Sequence, residues 1–218
     1  MSDLLLRLMS YAWPVRVWRG EGRYGPLELT WEYGHLVVNS QRANQAYGSV
    51  RRVWRACFRD ADVVGNPPES ALIIGFGAGC VARILRNELR LSCPIIGLDG
   101  DVTMLELARR SFHVDRLGDL KLIEMDAFAF MRDQHSQYDL VIVDLFTELD
   151  FAEGVESPAF IRALRRSTGP HGTLCINTVV HDAHTGERSA RCCHELRLCF
   201  DHVEEHRYEG QNRVFIAR

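Results

Sequence analysis

The sequence predicts an α/β domain with a doubly wound, mostly parallel sheet and an antiparallel terminal hairpin, preceded by a small N-terminal β-hairpin region. Beyond residue 70, short apolar runs alternate with helical patterns, as in parallel sheets that helices cover on both faces. Near the C-terminus, the turn 209–212 is too short for a parallel crossover and permits only antiparallel pairing. Residues 15–39 instead alternate around glycine-rich turns, which is typical of antiparallel strands.

The N-terminal part, residues 1–62, is predicted to form a hairpin or meander followed by a helix. The stretches rich in strand formers are Val15–Trp18, Leu27–Trp31 and Leu36–Val38. Residues 43–57 carry apolar side chains at helical spacing. The segment 62–70 contains a pair of prolines, and we expect it to separate this part from a main domain of residues 63–218.

The main domain is predicted to contain five apolar strands before the closing hairpin, with helices between them. The five strands are expected at Ala71–Ile74, Pro94–Leu98, Leu120–Ile123, Asp139–Val143 and Thr173–Asn177. The fourth is nearly all apolar, as a strand buried on both faces should be. A turn at 169–172 is expected before the fifth strand, and a helix over 187–198 before the closing strands at 202–208 and 213–217.

The composition is that of an ordinary soluble globular protein. Of the 218 residues, 46% are hydrophobic and 25% are charged, and the formal net charge of −3 argues against a nucleic-acid partner. A local basic cluster is more typical of a solvated helix face; its members are Arg51, Arg52, Arg55 and Arg59. No stretch of about 18 uncharged apolar residues occurs, so we expect no membrane partner.

Seven cysteines are spread irregularly along the chain. Their odd number and spacing fit the reduced thiols of a cytoplasmic protein better than a disulfide framework. The group Cys192, Cys193 and His194 matches no familiar zinc-ligand spacing. We therefore expect a cytoplasmic protein without a metal site.

A glycine-rich segment, Gly75-Phe-Gly-Ala-Gly79, follows the first strand of the main domain. Glycines let the backbone turn sharply and let a ligand approach closely, and the next helix offers unpaired N–H groups. Cys80 stands where a dinucleotide-binding fingerprint would have its last glycine, and no Gly-Lys-Ser/Thr ending marks a phosphate loop. The segment is either a ligand-binding turn or a purely structural one.

Carboxylates follow the second and third strands. Asp99, with Gly100 beside it, is placed to accept both hydroxyl protons of a ribose, or to cap the helix that begins near Asp101. Asp126, with the N–H group of Ala127, is placed to pair with the edge of an adenine, or to cap the short helix that follows. The carboxyl ends of parallel strands meet at one edge of a sheet, so we expect these residues to surround one site.

Asp144 ends the fourth strand and is predicted to point into the same cleft. A carboxylate there could orient an incoming amine or accept its proton, while capping or loop hydrogen bonding is the structural alternative. The acidic segment 148–156 follows it and is interpreted as either a lid over the site or a solvated connection.

These residues resemble the motif sequence of S-adenosylmethionine-dependent methyltransferases. The matching segments are Ile74–Gly79, Ile96–Asp99, Met125–Ala127, Tyr138–Asp144 and Gly169–Gly172. Within that superfamily, the chain is most similar to the spermidine/spermine synthase-like branch. The β-rich N-terminal part, the segment 43–50 and the strand that leads to Asp144 carry this similarity.

The resemblance implies a Rossmann-like methyltransferase fold and a transferase of the methyltransferase or aminopropyltransferase kind. The donor would be S-adenosylmethionine or a decarboxylated or methylthio relative, and the acceptor a small molecule such as the amine of polyamine synthesis. The resemblance places the donor's tail on the glycine segment, that is, on Gly75, Phe76, Gly77 and Gly79. It places the ribose on Asp99, the adenine on Asp126 and Ala127, and the acceptor on Asp144 as the catalytic residue. Gln45 and Tyr47 would close the substrate pocket from the N-terminal side.

The chain also departs from the spermidine synthase pattern. Ala78 stands where those enzymes carry an aspartate, Gly97 where they carry a glutamate, and Thr147 where they carry a second aspartate. Buried cations need paired carboxylates, so these losses weaken the prediction of polyamine synthesis while leaving nucleoside binding intact.

Three questions stay open at the level of sequence. The transferred group could be methyl or aminopropyl. The protein could be a non-catalytic nucleoside-binding or assembly protein with the same fold, or an NAD-dependent Rossmann enzyme. Four tryptophans lie before the main domain and would pack the N-terminal part onto that domain or onto the second subunit of a homodimer.

Overall fold

The computed structural model describes residues 3–40, 47–147 and 149–218, and for Asp3 and Tyr47 it describes the backbone alone. The N-terminal elements are α1 (Asp3–Met9), β1 (Val15–Gly22), β2 (Gly25–Glu32), β3 (His35–Ser40) and α2 (Tyr47–Asp60). The three strands form an antiparallel meander in the order β1-β2-β3. The meander agrees with the sequence-based prediction. The predicted helix is present from Tyr47 on, and its first predicted residues, 43–46, lie outside the described residues.

A seven-stranded sheet with helices on both faces forms the main domain. Its first half contains β4 (Ala71–Ile74), α3 (Cys80–Arg83, continued by a π-helical turn over Ile84–Glu88), β5 (Ile95–Asp99), α4 (Val102–Arg110), a 3-10 turn (Val114–Arg116), β6 (Leu120–Glu124) and α5 (Ala127–Asp133). Its second half contains β7 (Tyr138–Val143), β8 (Phe146–Thr147), β9 (Asp150–Phe151), α6 (Pro158–Ser167), β10 (Thr168–Val179), α7 (Ala183–Cys199), β11 (Val203–Tyr208) and β12 (Asn212–Ala217).

The main sheet has the strand order β11-β12-β10-β7-β4-β5-β6. The pairs from β10 to β6 are parallel, whereas β12 runs antiparallel to both of its neighbours. The predicted fold class, a doubly wound, mostly parallel sheet with an antiparallel terminal hairpin, is confirmed.

Strand β4, in the interior of the sheet, separates two layers of the hydrophobic core. Its side chains alternate: Ala71 and Ile73 belong to the core that contains α2, α3 and α4, while Leu72 and Ile74 belong to the core that contains α5, α6 and α7. All four side chains are fully buried. The strand is therefore apolar on both faces, which is why its sequence shows no polar alternation.

The strand order reverses between β4 and β7, where one half of the sheet builds outward through β5 and the other through β10. The backbone N–H of Asp144 donates to the Ile74 carbonyl at 2.8 Å, and that of Gly75 donates to the Leu98 carbonyl at 2.9 Å. The segments that leave these three strands are thus held side by side. Ligands of open α/β sheets bind at such a crevice.

Two parts of the second half differ from the prediction. The segment 169–172 is a bulge inside β10 rather than a turn before it, because the pairing with β7 shifts from Thr168–Tyr138 to Thr173–Leu140. Glycine is needed there, since a Cβ on Gly172 would lie 2.8 Å from the Tyr138 carbonyl oxygen. Of the acidic segment, residues 149–156 are described, and they contain β9, which pairs with β8. This part is therefore more structured than a solvated connection, and its role as a lid remains a prediction.

Helix α7 begins at Ala183, earlier than the predicted position 187. Asp182 starts it by accepting a hydrogen bond from the Thr185 N–H at 2.7 Å, in a capping box that the sequence prediction missed.

The basic cluster on α2 is neutralised by carboxylates. Its ion pairs are Arg51–Glu88, Arg55–Glu88, Arg52–Glu209 and Arg59–Asp60. All seven cysteines are free thiols. Within the described ranges, no helix is both long and apolar enough to cross a membrane. The same residues contain no group of three or more His, Cys, Asp or Glu side chains that could hold a metal ion.

Candidate active site

A cavity of about 540 Å³ lies at the carboxyl ends of β4, β5, β6 and β7. Its volume falls in the range of small-molecule binding sites. The meander and α2 cover one side of it, through Val37, Val38 and Val50 among others. The predicted residues that line it are Gly75, Phe76, Gly77, Asp99, Gly100, Asp126, Ala127 and Asp144.

The glycine segment 75–79 forms a tight turn between β4 and α3. Gly75 has a φ of +85°, and a Cβ there would lie 2.3 Å from the carbonyl oxygen of Asp144, so only glycine fits. A Cβ on Gly77, by contrast, would meet open space. The turn is therefore packed against β7 at its start and free on its cavity side.

Phe76 lines the cavity, while its ring packs against β5. Its side chain is buried, and a Cβ on Gly97 would lie 2.3 Å from Phe76 Cδ2. The absence of a side chain at Gly97 is thus what allows the ring to pack over β5. Phe76 supports the shape of the turn through its ring.

Asp99 faces the glycine turn, as the sequence predicts. Its Oδ2 accepts a hydrogen bond from the Gly77 N–H at 2.8 Å, and its Oδ1 accepts one from the Asp101 N–H at 2.9 Å. Burial raises the pKa of this carboxyl above its ordinary value, while the backbone N–H groups act in the opposite direction. Each oxygen keeps lone-pair capacity for a further donor.

The alternative that Asp99 caps the next helix is wrong. Asp101 is the N-cap of α4, and its Oδ1 accepts from the N–H groups of Thr103 at 2.9 Å and Met104 at 3.2 Å. Since the cap is supplied by Asp101, Asp99 is available to the cavity. A ribose-binding role for Asp99 remains a prediction.

Asp126 does act as a helix cap, which was one of its two predicted roles. Its Oδ1 accepts from the N–H groups of Phe128 and Ala129, both at 3.0 Å, at the start of α5. Its Oδ2 lies 4.0 Å from Arg23 Nη2. Capping uses one oxygen, and both Asp126 and Ala127 line the cavity, so adenine binding there remains a prediction.

Asp144 is held by two side chains that the sequence analysis did not identify. Trp54 Nε1 donates to its Oδ2 at 2.9 Å, and Asn177 Nδ2 donates to its Oδ1 at 3.0 Å. Asn212 Nδ2 in turn donates to Asn177 Oδ1 at 3.0 Å. Burial raises the pKa of Asp144, and the bonds from Asn177 and Trp54 oppose that rise. The carboxylate is therefore fixed in orientation at the cavity wall.

The turn between β1 and β2 also reaches the site, although no sequence signal indicated it. The backbone N–H of Arg23 donates to Asp101 Oδ2 at 2.9 Å, and its Nη1 donates to the Gly100 carbonyl at 3.2 Å. Tyr24, the next residue, lines the cavity. The N-terminal meander is thus connected to the loop that carries Asp99.

Two predicted substrate-binding residues, Gln45 and Tyr47, have no described side chain. Gln45 lies outside the described residues, and Tyr47 is described in its backbone alone, as the first residue of α2. Their proposed place at the N-terminal side of the pocket remains a prediction.

The described residues that line the cavity carry only negative charge, and Arg23 lies close by, with its Nη2 4.0 Å from Asp126 Oδ2. Five carboxylates line it, and no Arg, Lys or His is found among its described lining residues. The acidic residues are Asp99, Asp101, Asp126, Asp144 and Glu153. In a partly enclosed site of low dielectric, such a wall favours cationic ligands and disfavours anions.

The sequence is similar to a methyltransferase domain family and to polyamine aminopropyltransferases. The methyltransferase domain family matches residues 71–172. Polyamine aminopropyltransferase 1 of Streptomyces coelicolor is 30% identical over 123 residues, which cover 53% of this chain and 23% of that protein. Polyamine aminopropyltransferase 2 of Pseudomonas aeruginosa is 22% identical over 185 residues, which cover 82% of this chain and 53% of that protein. The chain thus spans from a quarter to about half of these relatives.

Among solved structures, spermidine synthase from Thermotoga maritima superposes with a TM-score of 0.70 at 12% identity, covering 93% of this chain and 72% of that one. The superposition extends over both the N-terminal meander and the main sheet, in agreement with the resemblance stated from the motifs. The chain has the S-adenosylmethionine-dependent methyltransferase-like fold and, within that fold, is similar to the spermidine synthases.

Proposed function

We propose that this chain is a transferase that moves a group from an S-adenosyl donor to an amine acceptor. The observation that carries the proposal is the cavity at the switch point of the sheet, which five carboxylates and no basic side chain line among its described residues. A sulfonium donor and an amine acceptor are both cationic before reaction. Each would be attracted by this wall, whereas an anionic ligand would be repelled.

The residues present fit an adenosine-type donor. The glycine turn is open on its cavity side at Gly77, and Asp99 is hydrogen-bonded to the Gly77 N–H beside that opening. In our proposal Gly75, Phe76 and Gly77, which line the cavity, contact the donor's tail. Gly79 does not line the cavity; it is the N-cap of α3 and would act by shaping the turn. Asp99 and Gly100 hold the ribose, and Asp126 with Ala127 contacts the adenine. The N-cap bonds of Asp126 hold its carboxylate rigid for that contact.

Asp144 is the proposed catalytic residue. When bound, an S-adenosyl donor supplies a carbon already activated by the sulfonium, so the protein chiefly needs to position a neutral amine in line with it. Asp144 would orient the acceptor and accept a proton from its ammonium group before attack. The neutral nitrogen would then form the new C–N bond as the donor's C–S bond breaks, and the sulfur would leave as a neutral thioether. The raised pKa of this carboxyl makes it a better proton acceptor than an ordinary aspartate once ionised.

The acid-only lining favours a donor without a carboxylate, and hence aminopropyl transfer from decarboxylated S-adenosylmethionine. S-adenosylmethionine carries a carboxylate that would need a basic partner, and the described lining offers none. One observation favours methyl transfer as a second candidate. Ala78 supplies no carboxylate for the amino end of an aminopropyl group.

Calorimetric titration with S-adenosylmethionine, its decarboxylated form, methylthioadenosine and NAD tests the donor. We expect the decarboxylated form to bind at least about tenfold more tightly than S-adenosylmethionine, because an unpaired carboxylate costs more than 1.4 kcal/mol. Equal or tighter binding of S-adenosylmethionine would favour methyl transfer. Binding of NAD alone, or of none of the four, would overturn the proposal.

Turnover is tested with decarboxylated donor and putrescine, by measuring the release of methylthioadenosine. Replacing Asp144 with Asn should lower kcat by about 10² to 10⁴, the usual contribution of a general base. Asp133→Asn, at the exposed end of α5, is the matched control and should leave kcat unchanged. Nucleoside binding without turnover toward any tested amine would indicate a binding protein instead.

A further inference from the structure

We infer that the turn between β1 and β2 is a recognition element for the base of the nucleoside, with the ring of Tyr24 covering it. This inference rests on the proposed function, because it assumes that an adenosine compound occupies the cavity. It assigns a specificity-determining role to a residue of the N-terminal meander, outside the strand ends where ligand contacts are expected in this kind of sheet.

The turn is hydrogen-bonded to the main domain before its tip and at its tip. Before the tip, Thr103 Oγ1 donates to the Glu21 carbonyl at 3.0 Å. At the tip, the Arg23 N–H donates to Asp101 Oδ2 at 2.9 Å, and Arg23 Nη1 donates to the Gly100 carbonyl at 3.2 Å. These three hydrogen bonds, to the loop after β5 and to the start of α4, hold Tyr24 in position at the edge of the cavity.

Tyr24 is oriented but not covered. The Arg23 guanidinium lies 5.6 Å from the centroid of its ring, and a Cβ on Gly100 would be 3.0 Å from its hydroxyl oxygen. The side chain nevertheless remains 51% exposed while it lines the cavity. An aromatic ring that is held in place and half open to a binding cavity gains contact area when a planar ligand group stacks on it.

The position of the turn points to the nucleoside end of the cavity rather than to the acceptor end. Tyr24 lies beside Gly100 and close to the carboxylates of Asp99 and Asp126, which follow β5 and β6. Asp144 follows β7, two strands away from β5 in the sheet, or roughly 10 Å at the usual strand spacing. The half of the cavity below Tyr24 is therefore the half assigned to ribose and base.

The chemistry at this end suits a purine base. Its π-face would lie against the Tyr24 ring, and stacking of a base on an aromatic side chain tolerates any base. Selectivity for adenine would then come from Asp126 and the Ala127 N–H at its edge. Burial raises the pKa of the Tyr24 hydroxyl, so this group stays protonated and able to donate to the ligand.

Affinity for methylthioadenosine, measured by calorimetry, tests the inference. We expect Tyr24→Ala to weaken binding about tenfold or more, and Tyr24→Phe to change it less than about threefold, because stacking supplies most of the contact. Tyr33→Ala is the matched control. Tyr33 is 72% exposed at the tip of the next turn of the same meander and does not line the cavity. Its replacement should leave the affinity unchanged.

The outcomes separate this inference from the proposed function. If the wild-type chain binds no adenosine compound, the proposed function fails. If the wild-type chain binds methylthioadenosine and Tyr24→Ala binds it equally well, the inference alone is overturned. An equal loss in Tyr24→Ala and Tyr33→Ala would also overturn it, because the effect would then belong to the meander as a whole. Thermal unfolding of each variant checks that the meander stays folded.

Discussion

The indole Nε1 of Trp54 donates a hydrogen bond of 2.9 Å to Oδ2 of Asp144. A helix that precedes the glycine turn in the chain thereby holds the carboxylate that follows β7. Trp54 is fully buried, so the bond is shielded from water and its strength depends on the local dielectric. This contact links the N-terminal part to the proposed catalytic residue.

Replacing Trp54 with Phe should move the acid limb of the pH profile of kcat/KM to higher pH. Burial raises the pKa of Asp144, and the Trp54 hydrogen bond opposes that rise by stabilising the ionised form. Removing the bond therefore raises the pKa further, and activity is lost at a higher pH as the solution is acidified. On the acid side of the limb, kcat/KM should fall about tenfold, the effect of losing about 1.4 kcal/mol.

Affinity for methylthioadenosine should be the same in Trp54→Phe and wild type, because Trp54 does not touch the proposed donor site. Trp31→Phe, in β2 of the meander, serves as the control and should keep the wild-type profile. An unshifted acid limb in Trp54→Phe would contradict the role assigned to this bond.

Asp99→Asn should weaken methylthioadenosine binding about tenfold or more. The wild-type carboxylate accepts backbone N–H groups on both oxygens, and an amide would turn an NH2 group toward one of these donors. Leaving such a donor unsatisfied costs about 1 to 3 kcal/mol, so thermal stability should fall as well. Calorimetry and thermal unfolding measure the two effects. A variant that loses stability but keeps full affinity would argue against ribose binding by Asp99.

Gly97→Ala should destabilise the fold by about 1 to 3 kcal/mol through overpacking against Phe76. The new Cβ would lie 2.3 Å from Phe76 Cδ2. Adding Phe76→Leu should recover part of the loss, so that the double variant is more stable than the sum of the single effects predicts. Denaturant unfolding gives all three values. Gly186→Ala, within α7 where a Cβ meets only an ordinary contact, is the control and should be neutral or stabilising.

Arg188→Leu should cost about 3 to 5 kcal/mol of stability, because it leaves Glu156 as a nearly buried charge without its main partner. Arg188 donates to both Glu156 oxygens, at 2.6 and 3.0 Å, and to the carbonyls of Phe151 and Ala152. The double variant Arg188→Leu/Glu156→Leu should lose less stability than Arg188→Leu alone, because no unpaired charge remains buried. Amide exchange in β9 should accelerate in the single variant, since its anchor is gone.

Arg191 provides the comparison for that experiment. It lies 3.6 Å from the same Glu156, but its side chain is exposed. Arg191→Leu should therefore cost less than about 1 kcal/mol. Equal losses for Arg188→Leu and Arg191→Leu would contradict the structural role of the buried pair.

The chain is expected to form a homodimer through its first residues. Trp13 is 78% exposed, and Leu4, Leu5 and Leu8 of α1 are also exposed. Together these side chains form an apolar surface, and such surfaces mark protein–protein interfaces. Light scattering after gel filtration should give the mass of a dimer for the wild type and of a monomer for Leu8→Asp. A monomeric wild type at tens of micromolar would refute this expectation.

Sequence alone located the main strands, because each strand of a parallel sheet is a short apolar stretch that can be recognised by itself. It also located the carboxylates that follow them, because the carboxyl ends of parallel strands lie at the same edge of the sheet. Gly75, Asp99 and Asp144 could be placed near each other on that basis. Trp54 could not, since its apolar helical spacing is that of any core residue and its bond to Asp144 depends on how α2 docks. Arg23 and Tyr24 were missed for the same reason: their contacts with Gly100 and Asp101 join segments far apart in the chain. The bulge at 169–172 was predicted as a turn because Gly-Pro pairs usually interrupt strands.

If the cavity binds an S-adenosyl compound as proposed, its five carboxylates would also discriminate against other adenine nucleotides. ATP and other phosphorylated adenine nucleotides offer the same base and sugar as an S-adenosyl compound, but they carry several negative charges. Entering a cavity lined with Asp99, Asp144 and their acidic neighbours would bring like charges together at low dielectric, at a cost of several kcal/mol. Under the proposed function, phosphorylated nucleotides would therefore be kept out by repulsion, without any shape difference in the nucleoside.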